Sequence, residues 1–533
     1  MMVIEGVDDL LVIDAGLMFP DEEMLGVDLV IPDMSHLLER REKVRAVLLT
    51  HGHEDHTGAL PYLLGELKVP VYGTPLSLGL AAEKLREADL LAEADLRPVR
   101  PRDRIQFGAF DVEFLRVSHS IPDGVALAIG TPAGTIVHTG DFKFDQSPVD
   151  GQLTDYRRLS ELGDRGVLVL LSDSTNAGRD GFTPSERTVG RTFEEIFRSA
   201  TGCVIVACFA SNIHRIQQVL DVAAALGKQV AINGKSMVAN ARIATELGYL
   251  HVPKGTLVSL DELQRLPAAR GVILTTGSQG EPLSAIARMA AAEHKQIRLA
   301  AGDTVIFSAR VIPGNEKLIA RTINNLYRQG AQVISEESAG VHVSGHASRE
   351  ELKLMLNLTR PTFFVPIHGE HRHLHLHAKL AREVGVPEDR TFLVEDGDIL
   401  EFTGEDGRVV GKATAGRVYV DGKGIGDVGD AVLRDRQHLA QDGIVVVILG
   451  LDRHLGKLVA GPEIISRGFV YEQGSGTLVD EVKALVLSVV EATSEEERGD
   501  RVLMQQRIKA VLKRHFQREI ERRPMIVPVI IEV

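Results

Sequence analysis

The chain has 533 residues, 44% of them apolar and 25% charged; this is the composition of a folded protein of about three or four domains and excludes a disordered or disulfide-stapled one. The net charge of −14 excludes a protein that coats nucleic acid by bulk electrostatics, while leaving room for a locally basic channel. The longest apolar runs, GVLVLL at 166–171 and IVVVILGL at 444–451, fall far short of the roughly 20 residues of a membrane helix, and no signal peptide is expected.

The first predicted strands are LLVIDAG (10–16) and VRAVLLT (44–50), apolar runs that end in polar turns. The second leads directly into HGHEDH, which places His51, His53, Asp55 and His56 within six residues. Imidazoles mixed with a carboxylate suit zinc or manganese, and four such groups on one short loop suggest two ions sharing it. Further candidates stand at other strand exits: Asp14 in LLVIDAG, His119 after VEFLRV, Asp141 after TIVHT and His368 after TFFVP. A rigid sheet can bring side chains from such exits to one point.

From about residue 180 the pattern changes. Thr183, Pro184 and Glu186 predict a capped helix start. The runs CVIVAC (203–208), QVAI (229–232), VILTT (272–276), TVIF (304–307) and QVI (332–334) alternate with helices over 213–226 and 315–329, which predicts a parallel sheet covered on both faces. The only cysteines, Cys203 and Cys208, lie in the first of these runs. In a strand they stand roughly 16 Å apart, too far to bridge, and are expected to be buried thiols of a reducing cytoplasm. In HVSGHASREE (342–351), Ser348 and Glu351 predict a capping box, with free amides at the helix N-terminus available to a phosphate.

Strands RTFLVE, DILEF, VVGKA and RVYV are expected next, then a glycine-rich hinge at 421–430. The final unit runs from IVVVILGLD through two helices at about 480–519 to the strand IVPVIIEV. Gly424, Gly426 and Gly429 spell GxGxxG, which alone is a weak dinucleotide signal and reads better as part of the hinge. His371, His373, His375 and His377 in HRHLHLH are expected at the surface or behind ligands, and the basic residues of 498–523 on a solvated helix face.

HGHEDH, VSHS, TGDF and IHGE, together with LLSDSTNA, CFASNIHRIQQ, NGKSM, TTGSQGEP, HVSGHASREE and PIHGEHRHL, resemble ribonuclease J, of the β-CASP group in the metallo-β-lactamase superfamily, along nearly the whole chain. The resemblance implies an α/β fold: a metallo-β-lactamase αββα sandwich (1–180 and 346–420), an inserted β-CASP α/β domain (181–345), a linker (421–444) and a small α/β C-terminal domain (445–533). It implies two divalent ions, zinc or manganese. His51, His53 and His119 would hold one, Asp55, His56 and His368 the other, and Asp141 would bridge them. Asp14 and Asp173 would orient ligand imidazoles. His342, Val343, Ser344, Gly345 and His346 would contact single-stranded RNA, with His346 near the scissile phosphate as proton donor or transition-state stabiliser, and Ser211 and Asn212 would add backbone contacts. A further structural divalent ion would sit on the Gly26 carbonyl, Asp28 and Asp421.

The implied activity is attack by a metal-activated hydroxide on a phosphodiester, leaving 5′-phosphate products. The expected enzyme is a cytoplasmic 5′-to-3′ exonuclease preferring 5′-monophosphate ends, with endonuclease activity as well, acting in mRNA decay and rRNA maturation. It would assemble as a homodimer or dimer of dimers, with RNA degradation partners and no membrane. A β-CASP DNA nuclease or a strictly endonucleolytic RNA processor is the alternative, followed by a non-catalytic RNA-binding paralogue. The family opens with a glycine-rich segment and a first strand where this chain begins at MMVIEG, so either a late-called start or a shortened first strand is expected, with the sheet edge beneath Asp14 open.

Overall fold

A computed structural model of the protein describes residues 1–281, 283–312, 314–452, 457–469 and 476–533. The chain divides into two units, residues 1–18 with 31–418, and residues 19–30 with 419–533.

The first unit contains two sheets that face each other. One has strands in the order Met2–Glu5, Leu10–Ile13, Val44–Leu48, Val71–Gly73, Leu96–Pro98. The other runs Pro361–Ile367, Val167–Asp173, Gly134–His138, Val125–Thr131, Phe110–Arg116, Arg104–Phe107. Leu11, Ile13, Ala46 and Leu48 of the first pack against Val112, Phe114, Leu127 and Ile129 of the second, which makes the sandwich core. Helices Tyr156–Arg165, Arg349–Thr359 and His371–Glu383 cover the second sheet's outer face through Leu159, Met355, Leu356 and Leu380. Met2–Glu5 pairs in full register with Leu10–Ile13, so the strand leading to Asp14 has an edge partner.

Between the two halves of this sandwich lies the insert. Its strands Val204–Ala207, Gln229–Ile232, Gly271–Thr275, Thr304–Phe307 and Gln332–Ile334 pair in parallel, as the alternating pattern predicts. One apolar cluster covers each face, the first around Phe193, Ile216 and Ala244, the second around Ile286, Met289 and Leu326. Glu351, itself fully buried, receives the backbone amides of Phe144 (2.8 Å), Thr183 (2.7 Å) and Ser348 (2.8 Å) where the chain passes into and out of the insert.

Several expectations are corrected. The helix after residue 183 begins at Arg187, because Thr183 is engaged by the His346 carbonyl and the Ser348 hydroxyl, both at 2.8 Å, and does not cap it. RTFLVE forms no strand; its one ladder contact is a bridge between Phe364 and Thr391. The 421–444 linker holds structure of its own: Arg417–Asp421 pairs with Gly424–Ile425 and with Leu29–Pro32, and a helix follows at Asp430–Asp442. Cys203 is only partly buried, whereas Cys208 is fully so; both are free, and burial pushes each thiol up to about 12, which leaves them unreactive.

In the second unit, Ile444–Leu451 lies between Leu458–Arg467 and Met525–Glu532. Helices Gly476–Ala492 and Arg501–Glu519 bury Val482, Val486, Met504, Ile508, Leu512 and Phe516 against this sheet, leaving the basic residues of the last helix outside. Among the described residues no helix is long and apolar enough to cross a membrane.

Candidate metal centre

Two chain turns build the base of the site. Asp14 leaves its strand in the left-handed region (φ 57°), and its carboxylate accepts from the Thr50 amide (2.8 Å), the Thr50 hydroxyl (2.8 Å) and His56 Nδ1 (2.7 Å). The proton is thereby kept on Nδ1, and Nε2 is turned to the site. Gly16 lets the two loops meet: a Cβ there would lie 1.5 Å from the Asp55 carbonyl oxygen, beside the 2.7 Å bond from the Ala15 amide to the His56 carbonyl. Gly16→Ala is expected to displace the HGHEDH loop and lower activity about 100-fold, the cost of roughly 1 Å of misplacement. Asp14→Asn is expected to weaken metal retention by roughly 10- to 100-fold, checked by titrating the metal-stripped protein.

Three imidazole nitrogens form the first group. His51 Nε2 and His53 Nδ1 are 3.0 Å apart, and His119 Nε2 is 3.2 Å from His53 Nδ1. His119 Nδ1 donates to the Gly345 carbonyl at 2.8 Å, which frees its Nε2. Burial lowers all three, His53 to about 4 and the others well below the usual imidazole range, so at neutral pH they present lone pairs rather than charge. Neutral lone pairs aimed at one another across about 3 Å call for a cation between them.

The second group contains Asp55, His56, Asp141 and His368. His56 Nε2 lies 3.3 Å from Asp141 and 3.6 Å from Asp55; His368 Nε2 lies 3.5 Å from Asp55 and 3.6 Å from Asp141. Asp141 Oδ2 is also 3.8 Å from both His51 and His119, so this carboxylate stands between the groups. Burial opposes charge on His56 and His368, but the surrounding carboxylates outweigh it and hold both imidazoles well above their usual range. His56 Nε2 is buried without a hydrogen-bond partner. This orphaned nitrogen and the mixed imidazole–carboxylate donor set fit divalent cations in both groups.

A layer of orienting groups surrounds them. His368 Nδ1 meets the Thr175 hydroxyl at 2.9 Å, and Thr175 in turn donates to Asp173 from its hydroxyl (2.8 Å) and amide (2.9 Å). Asp173 Oδ2 pairs with His346 Nδ1 at 2.8 Å. Burial works against both charges, yet His346 and His368 hold Asp173 well below its usual range, and Asp173 raises His346. Asn176 fixes the neighbouring loop through bonds to the Ser344 hydroxyl (2.8 Å) and the His346 carbonyl (3.0 Å). Thr50, Thr175, Asn176 and Gly16 were not singled out by the sequence, although Thr175 and Asn176 sit within LLSDSTNA.

Not every predicted site residue arrives with the role expected of it. The amides at the helix start after SGHA are engaged: Ser348 donates to Glu351, Arg349 to the Arg179 carbonyl and Glu350 to the Gly181 carbonyl. They are therefore not free for a phosphate. The Val343 side chain belongs to the insert's core, so only its backbone can face substrate. His342 is partly buried, and burial with nearby Arg215 lowers it to about 2. Asn212 is committed to capping Ile213–Ala225 through the Arg215 amide (3.0 Å), with Ser211 beside it more open. His377 is fully buried and meets the Ser174 hydroxyl at 3.0 Å.

The residues expected to hold a structural ion make contacts with one another's surroundings in this structure. Asp28 accepts from the Gly422 amide (2.8 Å), Asp421 from Arg436 (2.5 Å), and Arg436 also donates to the Leu25 carbonyl (2.9 Å). Its guanidinium lies 2.7 Å from where a Cβ of Gly26 would stand.

An αββα sandwich with imidazoles and carboxylates converging at its strand exits defines a metallo-β-lactamase-type hydrolase. The family model described as metallo-beta-lactamase superfamily matches residues 1–204, ribonuclease J beta-CASP domain 201–326, Zn-dependent metallo-hydrolase RNA specificity domain 338–391, and ribonuclease J C-terminal domain 431–533. The chain is 44% identical to ribonuclease J2 of Bacillus subtilis, covering 100% of this chain and 96% of that protein. It is 41% identical to ribonuclease J 1 of Streptococcus pyogenes, covering 99% and 94%. A solved structure of a protein of unknown function from Enterococcus faecalis shares the fold at TM-score 0.51 and 15% identity, over 76% of this chain and 96% of that one. The chain belongs to the ribonuclease J family. It is a metal-dependent hydrolase that acts on RNA.

Proposed function

We propose that the enzyme degrades single-stranded RNA from the 5′ end, prefers 5′-monophosphate ends and also cuts internally, leaving 5′-phosphate products. The observation that carries this reading is the tie between the substrate loop and the ligand groups: Gly345 receives His119, and His346 pairs with Asp173. A loop held at a fixed distance from the reaction centre can measure one nucleotide from a bound end.

His51, His53 and His119 would hold one divalent ion, zinc or manganese, and Asp55, His56 and His368 a second, with Asp141 available to both; when bound, such ions would supply an activated water and charge neutralisation for in-line attack. Asp14 and Thr175 keep His56 and His368 in the orientation this requires. His346, whose protonated form Asp173 favours against the effect of burial, serves as proton donor to the leaving oxygen. With the helix-start amides engaged, recognition of the terminal phosphate falls to Ser344, the loop backbone and Arg310, whose exposed guanidinium donates to Asn176 Oδ1 at 3.3 Å. The last unit, which matches a ribonuclease J C-terminal domain, is the proposed seat of assembly as a dimer or dimer of dimers, and a cytoplasmic location is part of the same proposal.

The test is digestion of 5′-monophosphate and 5′-triphosphate RNA by metal-stripped enzyme with manganese or zinc added back, beside a DNA of the same sequence. Faster release of mononucleotides from the monophosphate RNA is expected. Equal rates on both RNA ends, or mononucleotide release from DNA alone, would overturn the reading.

A further inference from the structure

His119 does not sit on a strand. It lies in the loop between Phe110–Arg116 and Val125–Thr131, closed at its base by a 3.1 Å bond from the Val117 amide to the Gly124 carbonyl. At the far side of this loop Asp123 adopts the left-handed conformation (φ 70°) and is 5% exposed. One carboxylate oxygen accepts from the Tyr249 phenol at 2.5 Å and from the Leu76 amide at 3.5 Å, while Arg116 stands 4.0 Å from the other. Burial raises the Asp123 carboxyl, against the Tyr249 phenol, the Leu76 amide, Arg116 and the Thr74 hydroxyl, which all favour its charged form.

Tyr249 belongs to the insert. It follows helix Lys235–Glu246 and is fastened to it by a 2.8 Å bond from its amide to the Ala244 carbonyl. Ile121, from the same loop as His119, is buried in the insert's apolar cluster with Leu76, Leu80, Met237 and Ala241. The loop is thus gripped by the insert at Ile121 and Asp123, and the His119 ring is gripped a second time by the Gly345 carbonyl.

We propose that Tyr249 is a positioning residue for the first cation group: through Asp123 its phenol fixes the loop that aims His119 at His51 and His53. This rests on the assignment of His119 as a ligand. A hydroxyl of the inserted domain then sets metal affinity in the sandwich by way of Asp123.

The experiment titrates manganese and zinc into metal-stripped full-length protein and reads bound metal per chain, thermal unfolding and kcat/KM. Tyr249→Phe removes only the hydroxyl. It is expected to bind the cation of the His51, His53 and His119 group about 10- to 100-fold less tightly, the range for lost outer-layer partners of metal ligands, with the other cation and the unfolding temperature unchanged. Asp123→Ala is expected to do the same, whereas Asp123→Asn, which keeps an acceptor for the phenol, should stay within about threefold of the unmodified protein. Retention of both cations by Tyr249→Phe with unmodified affinity would overturn the proposal, as would equal weakening of both. His119→Ala separates the two readings. If it loses one cation while Tyr249→Phe loses none, only the positioning role fails; if it keeps both, the ligand assignment itself fails.

Discussion

Replacing Asp141 with alanine is expected to lower kcat/KM for RNA by about three orders of magnitude, or about 4 kcal/mol of transition-state stabilisation. The reason is its position. Its two oxygens lie within 3.3–3.8 Å of His51, His56, His119 and His368, so one substitution removes the shared carboxylate from both groups. The same change leaves imidazoles facing one another without the negative charge that offsets a cation, and bound metal should fall from two per chain to one or fewer. Asp141→Asn should behave almost as poorly, since it keeps the shape and loses the charge. Elemental analysis of the purified variants alongside single-turnover kinetics checks both parts. Two retained cations with near-normal turnover would remove Asp141 from the bridging position.

Arg215→Met is expected to destabilise the protein by about 3–5 kcal/mol, the usual cost of orphaning a buried charge. Arg215 is completely buried and Glu186 nearly so. Nε donates to Glu186 at 2.8 Å, and the same guanidinium holds the carbonyls of Ser308 (3.0 Å) and Val341 (2.9 Å). Methionine fills much of the volume but leaves the Glu186 carboxylate with only Gln218, at 3.2 Å. A loss of roughly 5 °C in unfolding temperature follows for the first unit. Adding Glu186→Leu should recover most of it, because an apolar pair restores a neutral interior. If the double variant is no more stable than the single one, the cost lies in the lost carbonyl contacts instead. In that case RNA binding should suffer as well, since Val341 begins the loop that carries Ser344 and His346.

The candidate ligands were legible because their chemistry is local and dense: HGHEDH packs four donors into one turn, and Asp14, His119, Asp141 and His368 each end an apolar run. The parallel sheet of the insert was equally legible from its alternating runs. What sequence could not supply is the chemistry that exists only between distant segments. Thr175 and Asn176 look like ordinary turn formers until His368 and Ser344 come to them across the fold. Gly16 matters only because the Asp55 carbonyl passes where its side chain would be. The capping box at Ser348 was read correctly as local geometry, but the amides that follow it are taken by Arg179 and Gly181, contacts with no local signature. The bond from Arg436 to the Leu25 carbonyl likewise joins segments far apart in the chain.

Glu351 has a consequence for the architecture's history and for its engineering. Because one carboxylate ties the amides of Phe144, Thr183 and Ser348 together, the points at which residues 184–347 depart and return are neighbours in space. A segment whose ends already touch can be lengthened, shortened or exchanged with little penalty in closure entropy, roughly 0.6 kcal/mol for each doubling. The sandwich can therefore host different substrate-gripping modules at this one junction while its strands stay in register. A short glycine bridge from residue 183 to 348 is the natural place to cut a module out and graft another in.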